Sequence, residues 1–419
     1  MEYVLGLDCL ICGERYAPGD IEYVCPRHGD EGIVDVAYDY QAIGAAVGPD
    51  SLTGRGMWRY RPLLPVAADT EVPAIQVGST PMHEAPRLAA ATGAGRVWVK
   101  DEGRQPTASL KDRASAMAVA KATEAGAKVI TTSSTGNAAA ALSGICAGVG
   151  MANVIFVPAS APPAKITQLL AYGSTVLMVD GVYDEAVALC MHAAATRGWY
   201  NRTTGFNPYM SEGKKTVSFE IAEDLGWEAP DAVFVSVGDG CIIGGVYKGF
   251  ADLVALGWID RMPRIYGVQA AGSNYLAEAW ARGEDVLTKP PITATTVADS
   301  ISAGLPRDRI KAIRAVEASE GAYVTVSDDQ ILAAIPLLAR GSGVFGEPAG
   351  AAAYAGLLEA SSLGLIGKDD RVVVINTGSG LKDVAAARRA AEAAGTHPTL
   401  VEASVDALDS VLRQLTLPE

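Results

Sequence analysis

Short apolar, β-branched runs recur along the chain, separated by longer stretches whose spacing suits helices. Residues 97–100 (VWVK), 128–132, 153–158, 175–179, 232–237, 264–269 and 371–376 read as strands. Between them the pattern predicts helices from Lys111 to near Gly126, from 133–137 (SSTGN) through Cys146 to Gly150, over 164–172 and over 183–197. Strands of this kind alternating with helices of roughly 10–15 residues predict parallel α/β sheets. Residues 41–75 read as a helix and a Pro-containing connection, and 400–419 as a short closing helix. No internal repeat and no low-complexity linker interrupts the pattern.

The first 40 residues follow a different rule. Cys9-Leu10-Ile11-Cys12-Gly13 is one knuckle, and Cys25-Pro26-Arg27-His28-Gly29 is a second. Two such knuckles around a short hairpin suit a zinc ribbon, with Cys9, Cys12, Cys25 and His28 closing a tetrahedral structural site. A free-thiol loop without metal is the alternative. Asp20, Glu22, Asp30, Glu31 and Asp35 argue against nucleic-acid binding by this module.

Composition narrows the class. With 419 residues the chain has room for two or three domains, and 49% hydrophobic against 20% charged residues suits a compact fold. A net charge of −14 disfavours nucleic acid as a partner. No run of about 18 apolar residues predicts a membrane span, and no signal peptide is evident. Cys146, Cys190 and Cys241 are scattered, so the cysteines predict a cytoplasmic protein without a disulfide framework.

Candidate chemistry centres on Lys111. Ser109 reads as an N-cap and Asp112 as a first-turn acid, which puts Lys111 at the mouth of a helix. A cation there opposes the helix dipole, so either it is a surface lysine or its lowered pKa serves Schiff-base chemistry. SSTGN sits where a strand meets a helix. It is either an anion pocket of Ser134, Thr135 and Gly136 with Asn137 beside it, or plain capping by Ser134 or Thr135. Gly238-Asp239-Gly240-Cys241-Ile242 follows an apolar strand and opens a helix, as a cradle for one phosphate would. Asp239 beside a phosphate must point away. A nicotinamide reading of this loop lacks the strand ending in an acid about 20 residues on that ribose binding would require, and it leaves Lys111 and SSTGN unexplained. Thr377-Gly378-Ser379-Gly380 closes a strand, either as a turn or with a hydroxyl for a ring nitrogen.

A lysine for an imine, an asparagine for a ring oxygen, a loop for one phosphate and a hydroxyl for a ring nitrogen describe pyridoxal phosphate. PTASLKDR, SSTGN, the glycine loop, GVFGEPAGAAAYAGL and TGSGLKD, in this order, resemble threonine synthase and the wider tryptophan synthase β-like, fold type II pyridoxal-phosphate family. The resemblance spans about residues 5–390. It implies two three-layer α/β domains with the cofactor between them, behind the ribbon-like module at 1–40. The large domain is 41–120 plus 216–395, the small mobile domain 121–215, and 396–419 a tail. It implies Lys111 as the Schiff-base lysine and proton carrier, with Asn137 at the ring oxygen, residues 238–242 at the phosphate and Thr377 at the ring nitrogen. Ser134, Thr135, Gly136 and Asn137 would hold the substrate carboxylate. The implied protein is a homodimeric lyase acting on a small amino acid, converting O-phospho-L-homoserine and water to L-threonine and phosphate.

Three departures qualify the substrate. The glycine loop reads GDGCI, where threonine synthases usually carry Asn and more small residues. Asn207-Pro208-Tyr209 is followed by Met210, where the family commonly carries a phosphate-binding arginine. The 296–301 stretch lacks a basic residue, for which Arg307 and Arg309 are candidate substitutes. A β-eliminating ammonia-lyase or dehydratase, or a β-replacement synthase, is the alternative these departures favour. A ribbon-bearing interaction protein without catalysis would predict no chromophore.

Overall fold

A computed structural model describes residues 1–161, 163–181 and 183–414. Three sheets account for its strands. The N-terminal sheet is antiparallel, with β1 (Val4–Cys9), β2 (Arg15–Tyr16) and β3 (Val34–Tyr38) in the order β2-β1-β3. The largest sheet has the order β12-β11-β10-β13-β5-β4. Its members are β4 (Met82–Glu84), β5 (Arg96–Asp101), β10 (Ala232–Ser236), β11 (Arg264–Ala270), β12 (Ala322–Val326) and β13 (Arg371–Asn376). All pairs are parallel except β4 with β5. The third sheet, order β8-β7-β6-β9, is wholly parallel: β6 (Val129–Ser133), β7 (Ala152–Pro158), β8 (Thr175–Val179) and β9 (Tyr200–Asn201).

The seven strands expected from sequence are present within a residue or two. β10 and β13 are apolar without alternation because helices cover both faces of a parallel sheet. One core lies on each side of the large sheet, around Phe250 and Ile243 on one face and Phe234 and Tyr354 on the other. The small sheet shares a core with the alanine-rich Lys111–Glu124 and Asn137–Val149 helices. Its far face has only a minor cluster around Phe156 and Cys190.

Two expectations change. The 41–75 stretch holds one short α-helix, Tyr40–Ala46, and then 3-10 turns at Pro49–Ser51 and Met57–Leu63. Pro49 and Pro62 remove the amide hydrogens that a continuous helix needs. The closing helix is Val405–Leu412; it buries none of its residues, and 415–419 fall outside the described residues. No helix among the described residues is long and apolar enough to cross a membrane.

One close approach shapes the middle of the molecule. The Tyr209–Lys214 helix presses against the start of the Lys111 helix at Gly213. A Cβ there would lie 2.2 Å from the Arg113 carbonyl oxygen, so only glycine lets the two backbones meet.

Candidate active site

β5, β13 and β10 are neighbours in the large sheet and run parallel, so their C-terminal ends share one edge. That edge of an open α/β sheet is where ligands bind. The segment after β5 leads to Lys111, the segment after β13 starts at Thr377, and Gly238 to Gly240 follow β10. Backbone hydrogen bonds staple these segments together. The Leu110 N–H donates to the Thr377 carbonyl at 3.0 Å, and Ser379 N–H to Ala108 at 3.0 Å. Glu347 N–H donates to Gly378 at 3.0 Å.

Ser109 is not the N-cap expected from sequence. The helix begins at Lys111 with Leu110 as its cap residue, and no side chain caps it. Ser109 instead bridges to Gly378 through its backbone, and its buried hydroxyl has no hydrogen-bond partner. Ala108 holds a left-handed φ of 66°, which keeps this lead-in apart from ordinary helix entry. Asp112 turns back, as its position suggested, and accepts the Thr107 N–H at 2.7 Å and the Thr107 hydroxyl.

Burial, reinforced by the positive charges of Lys214 and Arg202, lowers the Lys111 ammonium from its ordinary value to about 7. Cys241 and Asp239 pull the other way and lose. Lys214 is itself fully buried and bonds the Cys241 thiol. Among the described residues neither Lys111 nor Lys214 makes an ion pair. Two amines at a glycine loop, half-buried Lys111 and buried Lys214, neither ion-paired among the described residues, form a site for an anion. Gly240 caps the Cys241–Ala255 helix with φ 93°, and Ser236 beneath the loop has a buried hydroxyl without a partner. Asp239 points away as required: its carboxylate accepts the Arg307 N–H at 3.3 Å. These residues fit the phosphate end of the implied cofactor.

The opposite wall comes from the small sheet. β6 ends at Ser133, and the Asn137–Val149 helix starts after Gly136, with no side-chain cap. Capping by Ser134 or Thr135 is therefore not what these residues do; Ser134 accepts the Gly136 N–H at 3.2 Å. Thr135, Gly136 and Asn137 line a cavity of about 170 Å³ together with Ser300, Glu347 and Lys382. Lys111 does not line this cavity, which opens on the Asn137 side of the site. Asn137 Nδ2 donates to Glu347 Oε1 at 2.6 Å and lies 3.5 Å from the Ser300 hydroxyl. Burial pushes the Glu347 carboxyl up to about 7, against the Asn137 hydrogen bond that favours its ionised form.

At the N-terminal module, the ligand atoms of Cys9, Cys12, Cys25 and His28 all lie within 4.8 Å of one another. His28 Nδ1 is 3.7 Å from Cys9 Sγ and 3.4 Å from Cys25 Sγ. Tetrahedral zinc bonds of about 2.3 Å to sulfur and 2.0 Å to nitrogen would set such S···N distances near 3.5 Å. The Cys3His set is compatible with zinc, and the Tyr16 hydroxyl 3.0 Å from Cys25 Sγ is an outer partner for it.

The structure thus brings Lys111, Thr377 and residues 238–242 to one edge and sets Thr135–Asn137 across from them. It adds Lys214, Arg202, Glu347 and Lys382, which the sequence reading did not single out. Glu347 and Lys382 lay inside quoted motifs, and Lys214 ends a helix of which all but Tyr209 is buried. Arg309 is removed as a substitute anion ligand. Its guanidinium is committed to Glu31 and to the carbonyls of Val286 and Pro306.

Comparison with known proteins shows the family. Residues 74–378 match the family described as pyridoxal-phosphate dependent enzyme. A threonine synthase of Methanocaldococcus jannaschii is 35% identical over 411 residues, covering 97% of this chain and 99% of that protein. A threonine synthase of Methanosarcina acetivorans is 38% identical, covering 96% and 97%. Among solved structures, processed threonine deaminase isoform 2 from Solanum lycopersicum superposes with a TM-score of 0.64 at 23% identity, over 76% of this chain and 88% of that one. That likeness concerns the fold alone. The chain is a threonine synthase-like member of the pyridoxal-phosphate dependent enzyme family.

Proposed function

We propose that the protein is a pyridoxal-phosphate-dependent lyase of threonine synthase type, turning O-phospho-L-homoserine and water into L-threonine and phosphate. The observation that carries this reading is Lys111: an amine lowered to about 7 beside a glycine loop with buried Lys214, which makes no ion pair among the described residues. The threonine synthases that match nearly the whole chain support the substrate.

When bound, the cofactor would supply an electron sink for an amino acid's α-carbon. Lys111 would carry it, the N–H groups of residues 238–242 with Lys214 would hold its phosphate, and Asn137 and Thr377 would flank its ring. The hydroxyl of Thr377 is neutral, so it leaves a ring nitrogen less strongly protonated than a carboxylate would. Lys111 Nζ, near half-deprotonated at neutral pH, would take the proton from the substrate's α-carbon and return one at the β-carbon. Ser134, Thr135, Gly136 and Asn137 would orient the substrate carboxylate at the start of their helix. The products require the γ C–O bond to break with phosphate leaving, and water's oxygen to end on the β-carbon.

A second reading keeps the cofactor and changes the leaving group. Met210 is fully buried in an apolar cluster with Ala114 and Cys241, so no guanidinium serves a substrate phosphate there. That favours β-elimination, as in an ammonia-lyase or dehydratase, or β-replacement. Release of phosphate from O-phospho-L-homoserine, set against ammonia release from a panel of amino acids, separates the two. Borohydride reduction followed by peptide mapping tests the site: label anywhere except Lys111 removes the assignment.

The same reading divides the chain into a large domain (41–120 plus 216–395) and a small one (121–215) that closes over substrate. It makes Cys9, Cys12, Cys25 and His28 a structural zinc site, and the protein a cytoplasmic homodimer. Unchanged zinc content in Cys9→Ser would remove the metal, and a monomeric mass in sedimentation would remove the dimer.

A further inference from the structure

The N-terminal module reaches into the large sheet's helices at a few charged points. Glu31 pairs with Arg309. Asp35 accepts from Lys311 Nζ at 3.1 Å and lies 3.9 Å from Lys248 Nζ. Arg309 and Lys311 both belong to the first turn of the Arg309–Ala318 helix, and both are buried. Cations in a first turn oppose the helix dipole, and buried cations need partners. Here the ion-pair partners come from outside the helix, and both are carboxylates of the N-terminal module.

That same turn is the floor of the glycine loop. The Asp308 N–H donates to the Asp239 carbonyl at 2.9 Å. A Cβ on Gly240 would lie 2.8 Å from both the Asp308 carbonyl oxygen and Ala312 Cβ, and one on Gly244 would lie 2.8 Å from Lys311 Cβ. Lys311 Nζ also reaches the Ser211 hydroxyl at 3.4 Å, which is 3.6 Å from Cys241 Sγ. Contacts therefore run from Asp35 through Lys311 and Ser211 to the first residue of the loop's helix.

We infer that Asp35 is a positioning residue for the 238–242 loop: through Lys311 it fixes the turn on which the loop rests, and so sets the cradle's shape for a phosphate group. This rests on reading that loop as the anion cradle, and is independent of which amino acid is turned over. It gives the module a task beyond its own fold.

The test compares Asp35→Asn, Asp35→Glu and Tyr38→Phe in the full chain. Tyr38, on the same strand as Asp35, gives its hydrogen bond to Glu212 instead of to Lys311, so its variant controls for general softening of this region. In cofactor-free protein, Asp35→Asn speeds amide hydrogen exchange at residues 240–242, while Tyr38→Phe leaves it as in wild type. Titration with pyridoxal phosphate shows binding weakened on the order of tenfold in Asp35→Asn, and largely restored in Asp35→Glu. The phosphorus resonance of the bound cofactor shifts in the same order. Wild-type exchange and affinity in Asp35→Asn would overturn the inference, as would an equal effect of Tyr38→Phe. If Asp35→Asn fails to fold, Lys311→Met carries the same expectation, since Asp35 keeps Lys248. Should the cofactor attach elsewhere than Lys111, the site reading fails, while exchange in the cofactor-free protein still decides the role of Asp35.

Discussion

Lys111 and Arg113 are two residues apart on one helix, the first half-buried and the second fully buried, and their surroundings are opposite. Two residues turn a helix by about 200°, so the pair faces opposite ways. Arg113 meets Glu102 at 2.7 Å and Glu220 at 2.7 Å, and donates to the Thr216 hydroxyl at 2.9 Å. Lys100 adds a further cation 3.1 Å from Glu220. Every charge in that cluster has a partner. Lys111 and Lys214 have each other's repulsion and no ion pair among the described residues. Matched buried charge is scaffold, and unmatched buried charge marks a place where something else must bring the anion.

The comparison can be broken at four points. Lys111→Ala is expected to abolish the visible chromophore and cut turnover on the order of 10³–10⁴-fold, while the melting temperature holds or rises. A coloured, active Lys111→Ala protein would place the chemistry elsewhere. Arg113→Met strands Glu102 and Glu220, and urea unfolding should show a loss of about 3–5 kcal/mol. A loss under about 1 kcal/mol would mean the cluster is not scaffold. Lys214→Met should weaken pyridoxal phosphate binding roughly tenfold, the worth of one charge-assisted hydrogen bond, without lowering stability. If stability falls and affinity holds, Lys214 belongs with Arg113.

The fourth test is a pH dependence. Lys111 titrates near 7 when folded and near 10.5 when unfolded, so between those values the unfolded cofactor-free chain binds more protons. Its contribution to stability therefore rises with pH across that window. Relative to Lys111→Met, the wild-type apoprotein should be less stable at pH 6.5, with the gap closing toward pH 10. A gap that stays constant would mean the amine is not held low.

Much of the site was legible because its signals are short. A glycine loop after an apolar run, a lysine at a helix mouth and two Cys knuckles depend on neighbours within a few turns of chain. The capping role assigned to Ser109 failed because Gly378, a residue far along the sequence, claims its backbone. Strand β12 went unread because five residues, AYVTV, carry little periodic signal. Glu347 gave no sign of its raised pKa, because desolvation in the folded chain is what raises it, against the hydrogen bond from Asn137, 210 residues away.

The amino-acid order alone determined the alternation of strands and helices and the Cys3His spacing, and it singled out Lys111 and the glycine loop as candidates. These follow from periodicity, turn chemistry and short ligand spacings, which need no knowledge of the fold. Tertiary structure alone decided that β5, β13 and β10 lie side by side, so that Asn376 donates to Asp101 at 2.8 Å across 275 residues. It also decided which buried charges are paired. Desolvation and Coulomb energy depend on what packs within a few ångströms, and a linear sequence does not carry that distance.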